Sequence, residues 1–73
     1  MLSFNYVNSY GYNKIIMVFT NKKNEKGEYY CELWSGQNDT MEATGMYCGA
    51  KYVSVKDLNE YFKHFGIDYR FSE

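Results

Sequence analysis

Only one stretch of this chain places apolar residues at helical spacing. Val55, Leu58, Tyr61, Phe62 and Phe65 fall on one side of a helix, and Lys56, Asn59, Glu60 and Lys63 on the other. The Ser54 hydroxyl before it can cap free backbone N–H groups, and Asp57 suits the positive end of the helix dipole. Gly66 supplies a left-handed stop. Most of what remains alternates with period two, as strands do. One helix can cover only one face of a sheet, so the pattern predicts a two-layer α+β domain with a sheet face left over.

The strand-like runs can be placed in order. Leu2–Val7 alternates, and Asn8–Asn13 turns around Gly11. Lys14–Thr20 is short, β-branched and aromatic, which suits a central strand. Asn21–Gly27 is a polar hairpin loop, and Glu28–Ser35 is the third strand. Gly36–Gly45 reads as a long connection to a fourth strand, Met46–Val53, in which Gly49 marks a bulge or a close approach. After the helix, Ile67–Phe71 alternates again, as a short fifth strand or an extended tail. The order β-β-β-β-α-β implies a small antiparallel sheet of four to five strands. With 73 residues, no repeat and no linker composition, residues 1–73 are expected to form a single compact domain. A domain this small buries only about 60% of the surface its unfolded chain exposes, so its stability should be modest.

Alternation assigns faces. The purer apolar sets should meet the helix: Leu2, Phe4 and Tyr6; Tyr29, Cys31 and Leu33; Met46, Cys48, Ala50 and Tyr52; Ile67, Tyr69 and Phe71. The opposite sets are mixed, yet they carry Tyr30, Trp34, Tyr47 and Val53, and the second strand sends apolar side chains to both faces. That is more apolar surface than a water-facing antiparallel sheet normally shows.

Little in the sequence points to catalysis or to a cofactor. His64 is the one imidazole and sits near the helix C-terminus, where a dipole contact accounts for it. Asp57 and Glu60 form a solvated pair on the outer helix face, and no phosphate-loop, dinucleotide or zinc-protease motif occurs. Structural zinc wants about four Cys/His ligands at short paired spacings, and His64, Cys31 and Cys48 do not supply them. Both cysteines lie in apolar strand runs and are expected to be buried free thiols, which suits a reducing cytoplasm. The run Ile15–Phe19 is far short of the roughly 20 apolar residues a membrane helix needs, so no membrane association is expected.

The expectation is therefore a non-enzymatic protein-binding module. Tyr and Trp are the residue types that most often anchor interfaces, which nominates Tyr30, Trp34 and Tyr47 on the uncovered face. Glu28, Glu32, Asp39 and Glu42 flank the long connection with no intervening base, a sparse acidic cluster suited to a basic partner surface, and Asp39 and Glu42 are its nominated contacts. A homodimer would use the same residues. The alternative is a small nucleic-acid-associated protein, with Lys22, Lys23 and Lys26 in one hairpin beside aromatics able to stack on bases. A formal charge of -1 and a lone arginine, Arg70, disfavour it. In composition, rich in Lys, Asn and Tyr and without proline, the chain resembles small proteins of phages and mobile elements of AT-rich bacteria. Many of those bind and inhibit one host protein, and the likeness carries over no individual residue.

Overall fold

A computed structural model describes residues 1–35 and 46–72. Four antiparallel strands lie in sequence order in one open sheet: β1 (Leu2–Val7), β2 (Asn13–Lys23), β3 (Tyr29–Ser35) and β4 (Met46–Val53). Among the described residues a single helix, α1 (Val55–Phe65), follows. The fold class is thus α+β, as the periodicities predict.

Local chemistry sets the punctuation. In the first turn the Asn8 side-chain oxygen accepts N–H bonds from Tyr10 and Tyr12, and Gly11 takes φ 83°. In the second, Asn24 Oδ1 accepts from the N–H groups of Lys26 and Glu28, so the loop is tighter than expected and β2 runs on to Lys23. Ser54 accepts the Asp57 N–H at 3.1 Å, and Gly66, at φ 75°, ends the helix.

The core is a cluster of Val18, Cys31, Val53, Leu58 and Phe62, with Phe4, Ile16, Tyr29, Ile67 and Phe71 packed against it. Val55 enters the helix directly after β4, and at the other end Phe65 stacks on Tyr6 of β1 at 3.9 Å between ring centroids. The helix therefore crosses the sheet from one edge strand to the other. Ile67–Phe71 is an extended tail and not a fifth strand. Its ladder bonds are replaced by Asn59, whose side-chain oxygen accepts the Phe71 N–H at 2.8 Å while its amide donates to the Phe71 carbonyl at 3.0 Å. That clamp leaves Phe71 free to pack on Phe62, Phe4 and Tyr29.

Two expectations fail in β4, for one reason. Leu33 pairs with Gly49 and Trp34 with Tyr47, so Cys48 is an extra residue and β4 bulges there. Gly49 has φ 138°, a conformation that L side chains rarely adopt. Beyond the bulge the alternation is reversed from the one expected. Val53 points into the core, while Tyr52, opposite Tyr30, and Ala50, opposite Glu32, lie on the open face. Before the bulge, Tyr47 stays on the open face opposite Trp34. The bulge also leaves Cys48 exposed, where a buried thiol was expected; Cys31 is buried, and both cysteines are free.

Candidate functional site

The face away from the helix is built from β2, β3 and β4. Phe19 pairs with Tyr30 and Tyr30 with Tyr52; Met17 pairs with Glu32 and Glu32 with Ala50; Ile15 pairs with Trp34 and Trp34 with Tyr47. At one end the rings of Phe19, Tyr30 and Tyr52 lie in sequence across the strands, 5.3 and 5.6 Å between centroids. At the other end Trp34 and Tyr47 meet edge to face at 5.4 Å. Tyr47 and Tyr52 keep about half of their surface in water, at 53% and 48%. Phe19, Tyr30 and Trp34 are half-buried and Ile15 beneath them is buried, so the face is an aromatic surface in two clusters that is most exposed along β4.

Glu32 lies between the clusters. The Tyr30 hydroxyl donates to one of its carboxylate oxygens at 3.2 Å, and the Trp34 indole N–H donates to the other at 3.0 Å. Desolvation, then that hydrogen bond and the carboxylate's charge, holds the Tyr30 hydroxyl protonated above its ordinary range. Across the strand, Ala50 is the small residue in a row that otherwise runs Tyr52 and Tyr47, and it pairs with Glu32.

The structure brings Tyr30, Trp34 and Tyr47 to one face, as expected, with Glu32 between Tyr30 and Trp34 as the alternation of β3 places it, and adds Phe19, Ala50 and Tyr52. Asp39 and Glu42 lie outside the described residues. The sequence carries a signal that would have placed Tyr52 and Ala50. Val53 precedes the Ser54 cap and joins Leu58, four positions into the helix, in the core, as a hydrophobic staple does. A Val53 turned inward turns Tyr52 and Ala50 outward.

The basic hairpin is divided between the faces. The Lys22 ammonium lies over the Phe19 and Tyr30 rings at 5.3 and 5.2 Å, on the open side, whereas Lys23 lies over Tyr29, whose ring packs with the core. Tyr47 sits at the far end of the sheet, four residues along β3 from Tyr30 through its partner Trp34, about 13 Å at strand rise.

The helix side has a second concavity, a cleft of about 350 Å³ at the corner that α1 leaves uncovered. Tyr6, Leu33, Cys48, Lys51, Tyr61 and Phe65 line it. Burial, and secondarily the Cys48 thiol, raises the Tyr6 hydroxyl pKa. Lys51 lies over the Tyr61 ring at 5.6 Å. Among the described residues no cluster of three His, Cys, Asp or Glu side chains could hold a metal ion, and no helix is long and apolar enough to cross a membrane. Comparison with protein-family models, curated proteins and solved structures finds no match.

Proposed function

We propose that this chain is a non-enzymatic protein-binding module that meets its partner through the open sheet face. The observation that carries this reading is the row of Phe19, Tyr30, Tyr52, Trp34 and Tyr47 on the face the helix does not cover. Large contiguous apolar patches on small domains usually mark contact surfaces, and Trp and Tyr dominate their energetics. The composition suggests the kind of partner: a bacterial host protein that the module holds and inhibits, in a reducing cytoplasm.

The test is single substitution of Trp34→Ala and Tyr47→Ala, read by pull-down from a bacterial lysate and by light scattering. Each should weaken capture about thirtyfold, the usual effect of losing an anchor worth 2 kcal/mol. Folded variants that keep both their mass and their partner would move the contact elsewhere. The nucleic-acid alternative rests on Lys22 beside Tyr30. A gel shift that weakens steeply with salt would favour it.

A further inference from the structure

The aromatic row explains why a partner would dock, but not why Glu32 stands in its middle. Each carboxylate oxygen already accepts one hydrogen bond, from Tyr30 and from Trp34. An ionised carboxylate offers about four acceptor positions, so the described residues leave about two. That is the number a guanidinium fork uses. Two donors on separate residues also hold the carboxylate in place before anything arrives, which removes part of the cost of binding.

The surroundings favour a cation. The Tyr30–Tyr52 pair flanks Glu32 on one side and the Trp34–Tyr47 pair on the other, with the small Ala50 alongside. Aromatic faces attract cations, and this row already holds one, since the Lys22 ammonium lies over Tyr30 and Phe19. Among the described residues Glu32 has no ion-pair partner, its oxygens being engaged by Tyr30 and Trp34. Residues 36–45 contain no Lys, Arg or His that could neutralise it. Lys51, the nearest base in sequence on β4, pairs in register with Cys31 and reaches Tyr61 on the helix side.

We propose that the open face takes an arginine side chain of its protein partner, its guanidinium on the Glu32 carboxylate between the Tyr30–Tyr52 and Trp34–Tyr47 pairs. This rests on the protein-binding reading and specifies its chemistry. Arginine suits the place better than lysine, because its planar fork matches a carboxylate and stacks on rings. A second copy of the chain, docked centre to centre, would set two Glu32 carboxylates against each other. A phosphate backbone would meet the same negative charge.

The chain has one tryptophan, so the Trp34 indole N–H gives a single resolved NMR signal at the site. The full chain, labelled with nitrogen-15, is titrated with the capped peptide Gly-Gly-Arg-Gly-Gly and with its citrulline counterpart, which keeps the shape and loses the charge. The arginine peptide should move the Trp34 indole signal and the Ala50 and Tyr47 amides, and the citrulline peptide should bind about tenfold or more weakly, the scale of one charge-assisted hydrogen bond. Glu32→Gln should erase that difference, its amide dispersion reporting that the fold is kept. Equal binding of the two peptides, or no movement with either, overturns the proposal. So does a concentration-dependent shift of the same signals without peptide, which marks self-association, or tighter binding of a single-stranded oligonucleotide. Partner capture that needs Trp34 and Tyr47 but survives Glu32→Gln removes the arginine and keeps the protein-binding reading. Capture that needs neither ring removes both.

Discussion

The bulge in β4 decides which side chains reach the open face, and it can be tested by a double-mutant cycle. Gly49 is held at φ 138° because Cys48 is inserted opposite the Leu33–Trp34 step. A Cβ built on Gly49 meets nothing within 4 Å, so Gly49→Ala carries no steric clash and its cost is backbone strain alone. Holding a non-glycine residue in such a conformation costs about 1–3 kcal/mol. Deleting Cys48 makes the pairing continuous: Tyr47 directly precedes Gly49, stays opposite Trp34, and Gly49 can relax to an ordinary strand conformation. In that background alanine should be better than glycine by about 0.5–1 kcal/mol. The substitution should therefore reverse sign, with a coupling of about 1.5–4 kcal/mol. Total stability for 73 residues is roughly 4–11 kcal/mol, so the effect is measurable in both backgrounds. Urea unfolding followed by Trp34 fluorescence, in the four proteins of the cycle, reads it. An equal cost of Gly49→Ala with and without Cys48 would refute the assignment of the strain to the inserted residue.

The two thiols should separate by reactivity. Cys48 should be alkylated at once in the folded chain and Cys31 only as the chain opens, with intact mass showing one adduct and then two; simultaneous labelling would contradict the burial of Cys31. Burial pushes the Cys31 thiol up from 9.0 to about 11, with Lys51 pulling weakly the other way. The folded chain holds that proton to higher pH than the unfolded one. Its contribution to stability is therefore complete below pH 9 and lost as pH rises towards about 11, a loss that Cys31→Ala should remove from the urea midpoint. Phe62→Ala, at a fully buried ring 4.7 Å from Phe4 and 5.6 Å from Phe71, should cost about 3–5 kcal/mol, and an unchanged thermal midpoint would rule out the helix packing. Glu32→Thr should leave urea stability within about 1 kcal/mol of the parent, because both donors it releases are only partly buried and threonine suits a strand.

Where periodicity survives intact, the sequence reads directly onto the fold. The helix and its caps at Ser54 and Gly66 lie as the spacing predicts, and so does the alternation of β1 and β3. Tyr30, Glu32 and Trp34 share a face because nothing interrupts β3 between them. β4 misleads because a one-residue insertion reverses every side chain beyond it, and alternation counted from Met46 has no means of registering the slip. The tail misleads for a different reason. Its pattern suits a strand, but a polar side chain of the helix, Asn59, takes both backbone groups of Phe71. Which residue a long-range side chain will satisfy is not encoded in local periodicity. The candidate site was therefore legible in its β3 residues and in Tyr47, which precedes the bulge, and hidden in Ala50 and Tyr52 beyond it.

The open face has to be weighed against the use a sheet could make of its own aromatics. Edge-to-face pairs across strands, such as Tyr30–Tyr52 and Trp34–Tyr47, are worth about 0.5–1.5 kcal/mol each beyond the area they bury. A small sheet with one helix gains from them with no partner present. Exposed rings alone thus do not separate a contact surface from a sheet that is stabilised on both sides. Glu32 does. At the centre of the row, threonine or valine would serve cross-strand packing better, since glutamate is depleted in strands and its charge sits among rings. If the face served only the sheet, Glu32→Thr would be neutral for folding and silent otherwise. If the face serves a cationic side chain, the same neutral substitution should abolish discrimination between arginine and citrulline. The stability measurement and the binding measurement on this one variant then give different answers, and only the contact-surface reading requires that they differ.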